Sequence, residues 1–454
     1  MDIFNGIRSG FKVRGLHKVS GFVLVVLMLL FTAGPALAVN GANLFGFGAI
    51  SRSMGGVGVA APQDAASIAY NPASQNFAHY SNGTQFDASG SFINPRAEAA
   101  ITTEVPAGGA NADVRRQVFF APYLGVSSPM LDNDPSDLRF GLNIYAASGI
   151  GADYKRDEID QPAYYGYTVY QNSPVYADGT SKPLPLVGPT FSLIQVMKIQ
   201  PAVSKKVTDN LSVGVSVHVT EGNFDLGAGT VSQWGLGGQL GLLYKVANNV
   251  NLGMSYTSPI RLNLDRITDL DGNGSLDDLK FDLPQTAIIG LSYATSDNRF
   301  LVETDVKWVN WANAKGWEDL DWRDQWVFGI GAQYYVIPKL ALRAGYNYAR
   351  TPITEHNGFN GLGIPSNVKN VQGYNVPTYY YEMMRGLSIP PFMEHHITVG
   401  LGYQLTPHFS VNLGYVHEFS DKLNITGTGL LGGQTTIEHK TDINSYELGL
   451  AWKF

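Results

Sequence analysis

The densest set of potential metal ligands in this chain is Asp269-Leu270-Asp271-Gly272-Asn273-Gly274-Ser275-Leu276-Asp277-Asp278. Oxygen-bearing side chains recur at alternate positions, Gly274 falls at the sharp turn, and Asp277 follows three residues later, as a hard cation requires. An EF-hand places Glu at the twelfth position of such a loop, and here that position is Lys280. Asp269, Asp271, Asn273 and Asp277 are therefore candidate ligands of a looser calcium loop, structural rather than catalytic; the alternative is an unliganded Asp/Gly hairpin. The histidines beyond residue 38 (His79, His218, His356, His395, His396, His408, His417 and His439) are scattered, and no Ser or Cys nucleophile motif accompanies them. His395 and His396 open a strand, where neighbouring side chains point to opposite faces and do not chelate one ion. Glu303, Asp305 and Lys307 share one face of a strand and read first as an ion cluster turned to the lumen, and second as a substrate-gating site. Nothing here makes an enzyme, and apart from the candidate structural calcium no cofactor is implied. Without cysteine there is no disulfide framework and no thiolate chemistry.

What would position these groups is a series of strands. Leu211, Val213, Val215, Val217 and Val219 alternate with Ser212, Gly214, Ser216 and His218, and the scheme recurs over 138–144, 250–257, 340–349 and 409–414. Period-two alternation sets one face of a strand in an apolar medium and the other in a polar one. A soluble sandwich alternates too, but the connections decide between them. Tight turns near 207–210, 247–249, 295–298, 337–339 and 406–408 alternate with long links near 94–114, 155–190, 221–232, 268–279, 312–321, 352–393 and 426–436. Short links on one side and long ones on the other are the habit of outer-membrane barrels. Strand centres near 88, 120, 142, 199, 216, 239, 256, 287, 305, 329, 345, 400, 414 and 448 make fourteen. In the last, Tyr446, Leu448, Leu450, Trp452 and Phe454 form one face. Trp308, Trp311, Trp326 and Trp452 suit an interfacial aromatic girdle, ordinary packing being the alternative for each.

Two of the long links are unusually apolar. One carries Tyr164, Tyr165, Tyr167, Tyr170 and Tyr176; the other carries Tyr379, Tyr380, Tyr381, Met383, Met384 and Phe392. Exposed apolar patches mark interaction sites, and Met and aromatic side chains adapt to varied apolar ligands. Tyr164, Tyr165, Tyr167, Tyr379, Tyr380, Met383, Met384 and Phe392 are thus candidate ligand-capture residues, unless the loops pack on one another to close the mouth.

The amino-terminal region has a different character. Arg8, Lys12, Arg14 and Lys18 precede the apolar run 21–31, and Ala36-Leu37-Ala38 closes it. Eleven apolar residues are too few to span a bilayer, which needs about 20, so residues 1–38 read as a cleavable secretory signal. Its removal takes four basic residues and one acidic residue and shifts the formal charge from −7 to −10. No basic patch invites nucleic acid. The stretch 45–75, FGFGAISRSMGGVGVAAPQDAASIAYNPASQ, is rich in Gly, Ala and Ser and cannot bury enough apolar surface to fold alone. It reads as a plug inside the barrel, giving residues 1–38 as signal peptide, 39–80 as hatch and 81–454 as barrel, an all-β fold.

Ser51-Arg52-Ser53-Met54-Gly55-Gly56, Val59-Ala60, Asp64-Ala65-Ala66 and Tyr70-Asn71-Pro72-Ala73 together resemble the hatch of the FadL-type outer-membrane transporters of long-chain fatty acids and aromatic hydrocarbons such as toluene and xylene. Asn71, Pro72 and Ala73 match the family's hatch triplet, and fourteen is the family's strand number. The resemblance implies passive uptake of hydrophobic compounds: capture by outer loops, a lumen site near the hatch, and lateral release beside a kinked third strand. Gly149 and Gly151 stand where such a kink could form. It further implies a monomer in the bacterial outer membrane, in contact with its lipids and with the barrel assembly machinery during biogenesis. A structural or secretion-accessory barrel of the same superfamily, or a general porin, are the alternatives.

Overall fold

The computed structural model describes residues 39–78, 83–105, 107–113, 118–130, 137–153, 168–169, 184–185, 191–363, 367–388 and 393–454. The expected signal and the candidate residues Tyr164, Tyr165, Tyr167 and Phe392 lie outside them.

Fourteen strands close into an antiparallel barrel: β1 (Gln85–Glu104), β2 (Phe119–Pro129), β3 (Leu138–Asp153), β4 (Phe191–Thr208), β5 (Leu211–Asp225), β6 (Val231–Ala247), β7 (Val250–Thr257), β8 (Thr286–Ala294), β9 (Phe300–Val309), β10 (Gln325–Ile337), β11 (Leu340–Ala349), β12 (His395–Thr406), β13 (Phe409–Phe419) and β14 (Gln434–Lys453). Closure comes from β14 pairing with β1 along 19 registered positions, from Thr435 opposite Thr103 to Lys453 opposite Gln85. Every strand centre expected from the alternation falls inside one of these strands.

The alternation sorts the two faces as the bilayer demands. Val213, Val215 and Val217 on β5, Ile289 and Leu291 on β8, and Ile397, Val399 and Leu401 on β12 project outward, while Ser212, Ser216, His218, Thr398 and His396 are buried inside. A charged side chain on the lipid face would cost roughly 2–4 kcal/mol at the midplane, which keeps those outward rows apolar. Trp326 is 55% exposed on the outer wall, but Trp311 is not part of a girdle. It is fully buried among Trp317, Trp322 and the outer connections, with ring centroids 4.9 and 5.1 Å away. The link between β7 and β8 is also longer than expected. It carries its own hairpin, Ile260–Thr268 with Asp277–Leu283.

Residues 40–78 occupy the lumen and are almost entirely buried. Their regular pieces are short: α1 (Ala49–Arg52), α2 (Ser67–Tyr70) and a 3-10 turn (Pro72–Phe77). The hatch lies against the wall where the wall has no side chains. A Cβ added to Gly253 would sit 2.1 Å from the Val59 carbonyl oxygen, and one on Gly214 would sit 2.4 Å from Ala73 N. Gly331, Gly345 and Gly241 meet Met54, Gly55 and Asn71 in the same way. These inward glycines are seats for a second backbone.

Gly253→Val therefore expels the hatch from its seat without touching strand pairing. We expect a folded, heat-modifiable barrel with raised ion conductance in planar bilayers; currents equal to wild type would show that the hatch tolerates the intrusion.

Candidate functional site

The hatch backbone is satisfied by side chains of the wall. Glu303 on β9 accepts hydrogen bonds from Ala60 and Ala61 N–H (2.6 and 3.0 Å), and Asp305, two residues on, accepts from Gly58 and Val59 N–H (2.9 and 3.3 Å). Four successive amides thus converge on two carboxylates. Within the ion cluster expected of Glu303, Asp305 and Lys307, the two carboxylates act as a clamp on the hatch. Elsewhere Asp87 accepts from Ala65 N–H (2.8 Å), Thr398 from Gly55 N–H (2.9 Å), and Gln239 donates to the Tyr70 carbonyl (2.9 Å).

The hatch triplet is built into this contact. Asn71 donates to the carbonyls of Val59 and Leu242 (2.9 Å each), and its side-chain oxygen accepts from Ala73 N–H (3.0 Å). Pro72 opens the 3-10 turn, where its fixed φ fits and its missing N–H costs nothing. One side chain therefore caps its own helix, ties two hatch segments together and docks both on β6. Arg52 is the hatch's buried cation. Its Nε donates to Glu447 (2.6 Å), its guanidinium lies over the Phe45 ring (4.5 Å), and Glu418 stands 3.9 Å away.

An aromatic patch lies where hatch meets wall. The Phe47 ring is 4.6 Å from Tyr145 and 5.5 Å from Tyr70, and Tyr145 is 6.4 Å from Tyr123. Directly above the Tyr123–Tyr145 pair the wall is incomplete. The β2–β3 ladder runs from Pro129 opposite Arg139 to Tyr123 opposite Tyr145 and stops, and the next residue on β2 is Pro122, which has no N–H to offer. On its other side β3 carries one extra residue, Ala147, between the pairs Ala146–Met197 and Ser148–Val196. Gly149 and Gly151 remain paired with Gln195 and Leu193, so the irregularity of β3 is a bulge at Ala147 rather than at the two glycines. The hatch covers this place from within: Asn43 pairs with Ser148, and the Ser148 hydroxyl donates to the Ala42 carbonyl.

At the mouth, Thr378–Met383 forms a short helix, α3, in which Tyr379 and Met383 are fully buried and Tyr380 is partly so, as is Met384 just past its end. These apolar side chains pack into the loops' own core, where Phe359 meets Tyr379 at 5.6 Å. The Trp311–Trp317–Trp322 cluster joins that core to the hatch. Gly41, at φ +60, passes so near that a Cβ would lie 2.7 Å from the Trp311 ring. The Asp-rich loop sits apart. Carboxylate oxygens of Asp269, Asp271 and Asp277 come within 4.8 Å of one another, but Asn273 turns to its own loop, accepting from Ser275 N–H (2.8 Å). Burial raises the Asp277 pKa; the Leu270 N–H opposes the rise, and the Asp271 and Asp269 charges add to it.

The comparisons with known proteins agree with this geometry. Residues 226–371 match the family described as outer membrane protein transport protein (OMPP1/FadL/TodX). The fold resembles the Pseudomonas putida toluene transporter TodX (20% identity, 90% of this chain and 99% of that one, TM-score 0.60) and a Pseudomonas aeruginosa FadL homologue (15%, 93% and 100%, 0.65). The fold is therefore that of these outer-membrane barrels. Outer membrane protein P1 of Haemophilus influenzae is 23% identical over 229 residues, 46% of this chain and 44% of that protein, so the match spans less than half of the relative. The sequence singled out Asn71, Pro72 and Ala73, which the structure places at the contact between hatch and wall. Sequence reasoning missed Arg52–Glu447 and the clamp's role, although lone inward carboxylates on strands were the signal to follow. The Ala147 bulge left no signal in its Ala-Ala-Ser-Gly surroundings.

Glu303→Ala with Asp305→Ala leaves four buried amides without acceptors, at about 1–3 kcal/mol each. Amide exchange at 58–61 should accelerate at least about tenfold while the strand amides of β8 and β10 stay protected; uniform protection would remove the clamp. A second expectation concerns Asp277. Because burial raises its pKa, protonation favours the ordered loop, whose order is greatest below the ordinary carboxylate range and is lost as the pH rises through the raised value. Asp277→Asn keeps an acceptor for the Leu270 N–H, so cleavage between 269 and 277 by a neutral protease should slow. Faster cleavage than wild type would reverse the sign.

Proposed function

We propose that this barrel is a passive channel that takes up hydrophobic compounds and releases them sideways into the membrane. The observation that carries the reading is the incomplete wall between β2 and β3, opposite a bulge and covered from inside by the hatch segment 42–43. An apolar solute gains nothing from a water-filled pore, whereas a sideways exit passes it from one apolar medium to another. The outer loops offer it an aromatic and Met-rich mouth, with Tyr380 of α3 and Met384 just beyond it partly open. From there the Trp311 cluster leads to the patch of Phe47, Tyr70 and Tyr145 beside the hatch. Displacement of residues 40–44 then uncovers the gap. The chain's relatives are of this kind by description: TodX is a toluene transporter and CymD a monoaromatic hydrocarbon channel. A general porin would need the lumen that the hatch fills.

The bulge makes the reading testable. Deleting Ala147 removes the extra residue and restores a continuous β3–β4 register. Uptake of toluene or of a long-chain fatty acid by intact cells should fall about tenfold, the change that ~1.4 kcal/mol of added barrier produces, while ligand binding to the purified barrel is kept. Undiminished uptake through a well-folded deletion variant would refute the sideways exit.

A further inference from the structure

The wall has a second place where its ladder stops, on the side away from β3. The β6–β7 ladder runs from Ala247 opposite Val250 to Gln239 opposite Thr257. Just past it, Gly238 N–H donates to the Ser258 hydroxyl (3.0 Å) and the Gly238 carbonyl accepts from Ser258 N–H (2.9 Å). Pro259 comes next and has no N–H to offer. The chain then turns inward. Ile260 packs so closely on Gly235 and Gly237 that an added Cβ would lie 2.6 and 2.5 Å from its side chain. β6 itself continues, held on its other side by β5 as far as Val231 opposite Phe224. Alternate residues of a strand turn both backbone groups to the same side. Leu236 and Trp234 therefore direct theirs where Gly238 does, and among the described residues no strand pairs with them there.

This free edge lies at the outer margin of the membrane. Leu240 and Leu236 belong to the lipid-facing row of β6, Trp234 closes that row, and the polar Ser232 is exposed beyond it. A tryptophan ending an apolar row marks the interface, and the side chains of Leu236 and Trp234 are 70% and 59% exposed. Bare backbone groups are not tolerated against hydrocarbon. A groove of about 820 Å³ follows the edge, lined by Val219, Trp234, Leu236, Ser258 and Arg261 among others. Arg261 alternates with the buried Ile260 and Leu262 and is itself exposed. Among the described residues its guanidinium makes no hydrogen bond or ion pair. Glu221, registered opposite Trp234, adds a carboxylate at the same level.

We propose that this groove holds one phosphorylated glycolipid of the outer leaflet, which completes the wall where the β6–β7 ladder ends. The occupant must bring acceptors for Arg261 and for the N–H groups of Trp234 and Leu236. It must also bring donors for their carbonyls and for Glu221, and an apolar chain for the row below. A sugar that carries a phosphate, hydroxyls and acyl chains brings all three. Arg261 takes the phosphate in its planar fork, the strand edge takes the sugar, and an acyl chain lies along Val219 and Leu236. A phosphate lipid without a sugar satisfies Arg261 but leaves the carbonyls of the edge unmet. Ile260 and Leu262 stand between this groove and the lumen, so the inference is independent of what the channel carries.

Native mass spectrometry of the full-length barrel in detergent tests this with three probes: a diphosphorylated, acylated glucosamine disaccharide (lipid A), its dephosphorylated form, and phosphatidate. Wild type should bind the first at least about tenfold more tightly than either of the others, as one charge-assisted hydrogen-bond pair implies. Arg261→Gln should remove most of that advantage, Arg261→Lys should keep part of it, and Lys422→Gln, an exposed cation elsewhere on the rim, should leave it unchanged. In nanodiscs, the diphosphorylated probe should slow amide exchange at Trp234 and Leu236 at least about tenfold, while phosphatidate should not. Heat-modifiable mobility reports that each variant is folded; if Arg261→Gln is not, Arg261→Lys and the exchange rates decide. Equal binding of the three probes, an advantage that survives Arg261→Gln, or tight binding with the 234 and 236 amides unprotected would each overturn the site.

Discussion

The constraint on which this structure depends is that backbone amides removed from water must be given partners. The hatch is a segment of some forty residues with almost no regular structure of its own, enclosed in a barrel. Its short helical turns pair some of its N–H and C=O groups with each other, and the wall pairs with many of the rest. Glu303, Asp305, Asp87, Thr398 and Gln239 serve that end from the wall, and Asn71 does so from the hatch. The inward glycines bring the two backbones close enough for such bonds to form. Clamp and seats are two halves of one solution: side chains where a hydrogen bond is needed, none where the chain must pass.

The same constraint accounts for the weak place in the wall. A barrel tolerates no open edge in lipid, and the ladder between β2 and β3 ends at Tyr123 and Tyr145. The hatch supplies a backbone pair at Ser148 and a carbonyl at Ala42, so an edge that would otherwise be unpaired is partly satisfied from inside. A hatch that covers an edge holds that edge shut only while it is docked. Its attachment is uneven: residues 58–61 are tied by charge-assisted bonds, whereas residues 42–47 rest on few polar contacts and on aromatic packing.

Much of this was legible in the sequence, for reasons that separate the readable from the hidden. Strand positions follow from period-two alternation because the lipid face admits no exceptions, and all fourteen centres fell within strands. Asn71-Pro72-Ala73 was singled out by resemblance alone, and its use as a cap emerges only in the fold. Long-range partners were not legible. Nothing near Glu447 announces Arg52, and nothing in the neighbourhood of Ala147 marks it as the extra residue of a bulge, since register is a property of two strands and not of one. Trp311 was misread for the same reason. A tryptophan at a strand end is placed at the lipid interface or in a loop core by what the distant loops do, here Trp317, Trp322 and the hatch turn at Gly41.

The distances along the chain at which the hatch finds its partners bear on how the molecule is assembled. Ala65 meets Asp87 only 22 residues on, but Ala60 meets Glu303 at a separation of 243, and Arg52 meets Glu447 at a separation of 395. Loop-closure entropy makes such contacts late ones. The hatch, which precedes all fourteen strands, can take its final place only when the last strand has been laid against the first, so a part translated before the wall is seated after it. Until then its apolar and Gly-rich surface has no berth, and closure of the barrel and burial of the hatch become a single event.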